Sequence, residues 1–323
     1  MKKITESSVK YINEVCAMSK IMKLTPSFKD YIWGGNKLMA EYGVKDMDRV
    51  AEAWVLSAHP DGPSYLPDGT TFAEALKDAD LGAKAAAFKD FPQLIKLIDA
   101  QSDLSVQVHP SDEYALANEG QFGKTEMWYI LDCEEGAGIY YGFQKDVTRA
   151  EMEEAIRTNT LTDILRFVPV QKGESYFIPS GTIHAIGKGL LIAEIQQNSN
   201  VTYRVYDYGR KDAQGNTRPL HVEKALEVSD LTRAADAVEP TQIVVDGGVF
   251  TEVSTCQYFT VTELKADGTV TVGKPDTFTA VLVLEGEGTI DGEAFGRYDT
   301  FFIPADAGEV KLSGCFKALL STL

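Results

Sequence analysis

The sequence feature that most constrains the fold is a strand–turn–strand pattern that ends in a histidine. Gly173 is followed after five residues by the turn sequence Pro179–Gly181, and two further residues separate that turn from His184. Proline fixes φ where the turn begins, and Gly181 can adopt a backbone conformation that a side chain penalises. We therefore predict that a short strand over 176–178 ends in this turn and that the next strand opens with His184.

A single histidine is more often a structural residue with satisfied hydrogen bonds than a metal ligand. The spacing of glycine, proline, glycine and histidine here resembles the second sequence motif of the cupin jelly rolls, in which that histidine binds metal. Lys188 lies in the region where the motif carries a later asparagine, so the match is incomplete. The resemblance implies a jelly roll and makes His184 a candidate ligand.

The strand pattern continues to the end of the chain. From about Thr241 the sequence consists of short alternating runs separated by Gly and Asp-Gly turns, which is typical of a sandwich or jelly roll. Pro304 follows one of these runs as Pro179 follows the earlier one, but this part of the sequence contains no histidine. We expect a second jelly roll that binds no metal.

A few helices are expected beside the strands. Thr148 and Glu151 form a capping-box pattern that opens a helix through about Arg157. Three other segments have helical spacing or composition: the Ala-rich stretch 72–88, the short segment 162–167 and residues 220–228.

Composition excludes several classes of partner. The chain has 323 residues, with 31 basic and 48 acidic side chains and a formal net charge of −17. Such a surface repels nucleic acid and anionic membranes. An anionic substrate would have to be attracted by a local cluster of Lys and Arg.

The cysteines and the hydropathy pattern indicate the cellular compartment. Cys16, Cys133, Cys256 and Cys315 are scattered and form no CxxC pair, which is typical of reduced thiols. No apolar run reaches the roughly 18 residues that a membrane span needs, and the first 21 residues lack the apolar region of a secretory signal. We expect a cytoplasmic protein.

The first candidate site residues lie in SVQVHP. Gln107 and His109 share one face of a predicted strand, while Val106 and Val108 point the other way. Inside an apolar fold, such a polar pair needs partners. A buried Gln–His hydrogen bond and a metal site fit the pattern about equally well.

The second pair lies in GKTEMWYIL, where Lys124 and Glu126 share a face. They are either a solvated ion pair or a metal ligand beside a substrate-binding lysine. Together with Gln107, His109 and His184, Glu126 offers nitrogen and oxygen ligands that suit Zn²⁺.

Arg204 is the third candidate. It lies in a predicted strand and shares a face with Thr202, Tyr206 and Tyr208. It is either a surface residue at a sheet edge or an inward-facing arginine, which would need an anionic partner such as a substrate.

Several longer motifs resemble the class I mannose-6-phosphate isomerases, also called phosphomannose isomerases, in their short bacterial form. These motifs are IWGG, GKTEMWYIL, FPQLIKLIDAQSDLSVQVHPSDEYA and PSGTIHAIGKGLLIAEIQQNSNVTYRVYDYGR. The resemblance implies a single Zn²⁺ per chain, bound by Gln107, His109, Glu126 and His184. It also makes Arg204 the active-site arginine and Lys124 a proton-transfer residue, which would require a lowered lysine pKa. The chain differs from the larger members in its N-terminal extension and in lacking their long helical insertion.

The resulting prediction is a mainly β protein with two cupin-type jelly rolls and a few helices packed around the first. Its predicted parts are an N-terminal extension over 1–22, a catalytic zinc-binding domain over 23–235 and a non-catalytic jelly roll over 236–323.

The implied activity is the interconversion of mannose 6-phosphate and fructose 6-phosphate through an enediol. The alternatives are a non-catalytic sugar-binding or regulatory bicupin, a cupin iron oxygenase and a cupin-type glucose-6-phosphate isomerase. Glu52, His59, Lys96 and Arg210 are further candidates for proton transfer or phosphate binding, whereas His221 is expected to be structural. The sequence leaves the oligomeric state open.

Overall fold

The computed structural model describes residues 20–211, 215–234 and 241–323. Three antiparallel sheets dominate it, accompanied by short helices. The strands are β1 Met22–Leu24, β2 Ser27–Lys29, β3 Glu52–Leu56, β4 Gln93–Ala100, β5 Val106–Val108, β6 Glu126–Cys133, β7 Gly138–Phe143, β8 Leu165–Pro169, β9 Ser175–Ile178, β10 His184–Ile186, β11 Leu190–Gln197, β12 Tyr203–Tyr206, β13 Thr241–Val245, β14 Gly248–Thr255, β15 Thr260–Val272, β16 Thr279–Ile290, β17 Glu293–Phe295, β18 Thr300–Ile303 and β19 Val310–Thr322.

The α-helices of the described residues are short. They are α1 Lys37–Tyr42, α2 Phe72–Ala75, α3 Asp112–Asn118, α4 Arg149–Arg157 and α5 Val222–Val228. None of these helices has the length and apolar composition that a membrane crossing requires.

The first two sheets form a sandwich. The six-stranded sheet has the order β2-β3-β4-β11-β6-β9, and the five-stranded sheet has the order β12-β5-β10-β7-β8. Because side chains alternate along a strand, Trp128 and Ile130 of β6 face an apolar cluster shared with the five-stranded sheet. Met127 and Tyr129 of the same strand face away from it. The five-stranded sheet packs its other face against α4 and α5.

A third sheet packs on the outer face of the six-stranded one. It has eight strands, in the order β1-β18-β16-β19-β15-β14-β13 with β17 paired to β16, and we call it the C-terminal sheet. One of its faces carries Phe259 and Phe302, which join Met127 and Tyr129 in a single apolar cluster. Its other face encloses a separate cluster that includes Val281 and Phe301.

These sheets confirm the predicted fold class, while the domain limits at 22/23 and 235/236 stay predictions. Within the predicted extension, only residues 20–22 are described, and Met22 opens β1, which pairs with β18 of the C-terminal sheet. Cys133, Cys256 and Cys315 are free thiols, and Cys16 lies outside the described residues.

Local signals predicted several elements correctly. Thr148 caps α4 through a complete capping box, and the helix ends at Arg157 as expected. The predicted strand 176–178 is β9, and His184 opens β10. The helical prediction for 220–228 corresponds to α5.

Two helix predictions were wrong. The predicted helix 72–88 is one turn of α-helix followed by 3₁₀ turns at Leu76–Asp78 and Ala83–Ala87. Backbone groups of Asp80, Leu81 and Lys84 instead bond to the 276–305 region of the C-terminal sheet. Of the segment 162–167, the first part belongs to a 3₁₀ turn and the second to β8, where pairing with β7 replaces helical hydrogen bonds.

Candidate metal centre and active site

Strand register brings the predicted site residues of the five-stranded sheet into one row. Gln107 of β5 lies directly opposite His184 of β10 on one side and opposite Arg204 of β12 on the other. Residues that face each other across an antiparallel pair project to the same side of the sheet. Arg204, Gln107 and His184 therefore share the face that is turned toward the six-stranded sheet, from which Glu126 approaches.

Three of the predicted ligands converge in the interior. One ligand atom from each of His109, Glu126 and His184 lies within 4.8 Å of the others. His109 Nε2 is 3.7 Å from Glu126 Oε2, and His184 Nε2 is 3.4 Å from Glu126 Oε1. All three side chains are fully buried or nearly so.

The hydrogen bonds of the two imidazoles fix their tautomers. His109 Nδ1 lies 2.8 Å from the carbonyl oxygen of Val201, and His184 Nδ1 lies 2.8 Å from that of Thr182. A carbonyl only accepts, so each Nδ1–H donates and each Nε2 directs its lone pair toward Glu126.

The remaining atoms of the triad pass the test for a metal site. His109 Nε2 and both oxygens of Glu126 are buried and have no hydrogen bond of good geometry within the described part of the chain. The ammonium of Lys124 lies 2.7 Å from Glu126 Oε2, but Glu126 Oε1 and His109 Nε2 are left facing other acceptors, and buried acceptors in that state are costly. A divalent cation among two imidazole nitrogens and a carboxylate would satisfy them, and this ligand set suits zinc.

Gln107 borders the triad, with its amide Nε2 3.4 Å from His184 Nε2. An amide nitrogen offers no lone pair to a metal. Gln107 is therefore a ligand only if its amide is turned so that Oε1 faces the centre. Its place in the ligand set stays a prediction.

Burial keeps both imidazoles in the form that binds metal. It lowers the pKa of His184 to about 4 and holds the pKa of His109 well below its usual range, and the charge of Lys124 acts in the same direction. Burial, followed by repulsion from Glu194, raises the pKa of Glu126 to about 7 despite the attraction of Lys124.

A buried row of charges extends from the triad across the six-stranded sheet. Lys124 Nζ lies 2.7 Å from Glu126 Oε2 and 3.2 Å from Glu194 Oε1, and Lys96 Nζ lies 3.3 Å from the same Glu194 oxygen. Lys96 Nζ also lies 3.8 Å from Glu52 Oε2. Three carboxylates against two ammonium groups leave one formal negative charge, which a divalent cation would convert into a positive one.

Two tryptophans support the row. Trp128 donates its indole N–H to Glu194 at 3.0 Å, and Trp54 donates to Glu52 at 2.6 Å. Trp128, Glu194, Lys96 and Trp54 are Cα partners on four adjacent strands. The row therefore lies on the same face of the sheet as Glu126.

Two residues of this row change the expectations from the sequence. The sequence analysis did not single out Glu194, although a glutamate inside the apolar run LLIAEI is an available signal. For Lys124, burial alone would lower the pKa, but Glu126 and Glu194 outweigh it and the net pKa is raised. The proton-transfer role of Lys124, which requires a lowered pKa, stays a prediction.

Arg204 lies at the edge of the site, half-buried. Its Nε donates to Ser105 Oγ at 3.2 Å and its Nη1 donates to the carbonyl of Pro219 at 3.1 Å. Burial and the nearby charges of Arg218 and Arg210 lower its pKa.

Arg210 and Arg218 share the carboxylate of Asp207, with contacts of 3.2 Å to Oδ1 and 2.8 Å to Oδ2. Arg204 lies close enough for the charges of both arginines to lower its pKa, so three guanidinium groups lie near one another. Such a local positive cluster was expected for a protein of strongly negative net charge.

The other histidines lie outside the triad. His59 makes an edge contact with Trp54 at 5.8 Å, and its Nδ1 accepts from the backbone of Asp61. His221 precedes α5 and its Nδ1 accepts from the backbone N–H of Arg204 at 3.2 Å.

A jelly roll whose interior brings together two imidazole nitrogens and a carboxylate defines a cupin-type protein with a candidate metal centre. Comparison with known proteins identifies the family. Residues 21–136 match the model of the type I phosphomannose isomerase catalytic domain, and residues 250–323 match the cupin domain of mannose-6-phosphate isomerase.

Individual relatives cover nearly the whole chain. Mannose-6-phosphate isomerase ManA of Bacillus subtilis is 39% identical over 308 residues, which is 92% of this chain and 97% of the relative. The mannose-6-phosphate isomerase of Streptococcus mutans is 37% identical, covering 84% of this chain and 87% of the relative. The crystal structure of the Bacillus subtilis mannose 6-phosphate isomerase superimposes with a TM-score of 0.88 at 34% identity, covering 94% of this chain and 99% of that one.

The chain therefore belongs to the type I mannose-6-phosphate isomerase family, and it is an isomerase of that family.

Proposed function

We propose that the chain interconverts mannose 6-phosphate and fructose 6-phosphate through an enediol at the centre formed by His109, Glu126 and His184. The observation that carries this proposal is the set of facing, unsatisfied acceptors of the triad beside the buried ion pair of Lys124. Family membership supports the substrate, since the relatives named above are mannose-6-phosphate isomerases.

In this proposal one Zn²⁺ is held by Gln107, His109, Glu126 and His184. When bound, the metal supplies Lewis-acid polarisation of a substrate oxygen. The two backbone carbonyls on the Nδ1 side keep the imidazoles aimed at the centre, and such second partners typically raise ligand basicity.

Lys124 and Arg204 are the proposed catalytic residues. Moving a proton between C2 and C1 develops negative charge on the substrate oxygens, and preorganised cationic donors stabilise that charge. Lys124 is held as an ammonium by Glu126 and Glu194, and it offers a donor beside the triad. Arg204 approaches from the facing sheet with a planar guanidinium that a lysine does not reproduce.

Glu194 and Lys96 hold this arrangement in place. Burial alone would raise the pKa of Glu194, but Lys124 and Lys96 outweigh it and lower the pKa to about 2. The two ammonium groups therefore favour the anionic form of Glu194, which contacts both of them. It is a weak base, and we assign it a positioning role.

Arg210 and Arg218, which lie beside Arg204, are the proposed anchor for the phosphate. Arg204, Arg210 and Arg218 lie near one another, and Asp207 orients two of them. Paired guanidinium groups recognise phosphate oxygens well. A dianionic substrate would then be held with its phosphate at the rim and its sugar toward the metal.

The deciding experiment is a coupled assay of the purified protein with mannose 6-phosphate, before and after treatment with a chelator and after re-addition of zinc. We expect activity that the chelator removes and that zinc restores. Glucose 6-phosphate serves as the competing substrate. Turnover of glucose 6-phosphate alone would favour the neighbouring cupin-type isomerase, and no turnover by zinc-loaded protein would favour a binding protein.

A further inference from the structure

The backbone on either side of Lys124 is unusually well fixed for a segment that precedes a strand. The N–H of Gly123 donates to Asp112 Oδ1 at 2.8 Å, that of Lys124 donates to the carbonyl of Pro110 at 3.0 Å, and that of Thr125 donates to Gln197 Oε1 at 2.8 Å. Three consecutive amide groups are thus bound before β6 begins. Two of their acceptors are side chains, so the position of Lys124 depends on Asp112 and Gln197.

Gly123 has no space for a larger residue. A Cβ there would lie 2.4 Å from the carbonyl carbon of Ser111, at the start of α3. The segment therefore packs directly against the backbone that leads into Asp112. Close packing and three hydrogen bonds leave little freedom for the residue between them.

Asp112 and Gln197 are themselves connected to the C-terminal sheet. Gln197 Nε2 donates to Asp112 Oδ1 at 2.9 Å, and the hydroxyl of Tyr258 donates to Asp112 Oδ2 at 2.7 Å. Tyr258 lies in the turn between β14 and β15, and its carbonyl accepts from Gln93 of β4 at 3.1 Å. A continuous chain of hydrogen bonds thus runs from the C-terminal sheet to the backbone of Thr125.

We propose that Tyr258 is a positioning residue for the active site, acting on Lys124 through Asp112 and Gln197. The C-terminal sheet, which contributes no ligand to the triad, would then contribute to the reaction by holding the lysine ammonium in place. This inference rests on the proposed function, because it assigns Tyr258 a role in the turnover that Lys124 supports.

The physical reason is the small tolerance of the lysine geometry. Lys124 Nζ contacts Glu126 at 2.7 Å and Glu194 at 3.2 Å while lying beside the triad. A backbone displacement of a few tenths of an ångström alters those contacts, and misplacement of a catalytic group by about 1 Å can cost about 100-fold in rate. Hydrogen bonds to an ionised carboxylate are among the stronger ones in proteins, so Asp112 is an effective link.

The test uses Tyr258→Phe, which removes only the hydroxyl. The matched control is Tyr42→Phe. The Tyr42 hydroxyl also links the C-terminal part to the rest of the chain, since it donates to the carbonyl of Tyr298 at 3.3 Å, but it has no connection to Lys124 in the described hydrogen bonds. A second variant, Gln197→Met, removes the link next to Thr125 at similar volume. For each protein, kcat, KM, zinc content and Tm are measured with mannose 6-phosphate.

We expect Tyr258→Phe to lower kcat about fivefold, the equivalent of one net hydrogen bond, with unchanged zinc content and little change in KM. Gln197→Met should lower kcat about 10- to 100-fold, as is typical of residues that orient site groups. Adding Tyr258→Phe to Gln197→Met should cause a smaller further loss than Tyr258→Phe causes alone, because Asp112 contacts both Gln197 and the backbone N–H of Gly123 and only part of the effect of Tyr258 passes through Gln197. Tyr42→Phe should keep the wild-type kcat.

Wild-type kcat in Tyr258→Phe would overturn the inference, and so would equal losses in Tyr258→Phe and Tyr42→Phe. Fully additive effects of Tyr258→Phe and Gln197→Met would overturn the connection through Gln197. The proposed function fails in a different way, through absence of turnover in the zinc-loaded wild-type protein.

Discussion

At the scale of single residues, the candidate metal centre depends on which nitrogen of each histidine carries the proton. His109 and His184 each use Nδ1–H for a backbone carbonyl, which leaves two Nε2 lone pairs and a carboxylate facing one another. The electrostatic repulsion among these acceptors is relieved by a cation. The atoms that repel one another in the triad are therefore the ones that we propose as metal ligands.

Replacing Glu126 with glutamine tests whether the negative charge of the triad is needed to bind the metal. The side chain keeps its volume but loses its charge, so we expect zinc content to fall far below one per chain and kcat to fall at least about 100-fold. His184→Ala should give the same paired loss. Glu153→Gln, at an exposed position of α4, is the matched control and should behave as wild type. Metal analysis and the coupled assay on the same samples provide the measurement. Full activity in a metal-depleted variant would contradict the ligand set.

Arg204→Lys separates substrate chemistry from metal binding. Arg204 lies beside Gln107 in the strand register but outside the triad, so zinc content should stay unchanged. Loss of a preorganised donor to a developing oxyanion typically costs about 100- to 1,000-fold, and we expect kcat to fall within that range. Arg157→Lys, in an exposed pair with Glu154, controls for the substitution itself. If Arg204→Lys turns over at the wild-type rate, Arg204 has a structural role.

At the scale of elements, the sequence predicts those helices and turns whose stabilising interactions are local, and it fails where the interactions connect residues far apart in the chain. The capping box at Thr148 and the turn before His184 were predictable because their determinants lie within a few residues. The stretch 72–88 was not, since its Ala-rich helical propensity is overcome by backbone bonds to the loops that flank β16 and β18, about 200 residues away in sequence. The site shows the same contrast. Alternation placed Gln107 on the face that carries the candidate metal centre, whereas the partners of Glu194 come from β4, from β6 and from the segment before β6.

The turn between β9 and β10 gives a prediction at this scale. Gly181 has φ of +88°, and a Cβ there would lie 3.1 Å from the carbonyl oxygen of Val228. Gly181→Ala should therefore cost about 1–2 kcal/mol of stability from the backbone conformation, and crowding should also shift His184 and weaken zinc binding. Gly69→Ala is the matched control, because Gly69 has the same φ but no atom within 4 Å of its would-be Cβ. Chemical unfolding and chelator competition measure the two effects. Equal zinc affinity in both variants would show that the conformation of this turn does not affect zinc binding.

At the scale of the whole molecule, the C-terminal sheet is joined to the six-stranded sheet by one apolar cluster. Phe302 contacts Phe72, Phe91 and Phe278 with ring centroids 5.1 to 5.9 Å apart. The pairing of β1 with β18 adds backbone hydrogen bonds between the N-terminal and C-terminal parts of the chain. The two sheets therefore share one hydrophobic core, and this core couples the stability of the N-terminal and C-terminal parts.

The last prediction concerns this coupling. We expect a single cooperative thermal transition, because separating the sheets would expose the cluster that contains Met127, Tyr129 and Phe302. Phe302→Ala should cost about 3–5 kcal/mol, the usual range for removing a buried phenylalanine, and should lower the whole transition. Phe167→Ala, at a ring that is 47% exposed, is the control and should change Tm little. Calorimetry with circular dichroism provides the measurement. Two resolved transitions, of which Phe302→Ala lowers only one, would show that the predicted jelly rolls unfold independently.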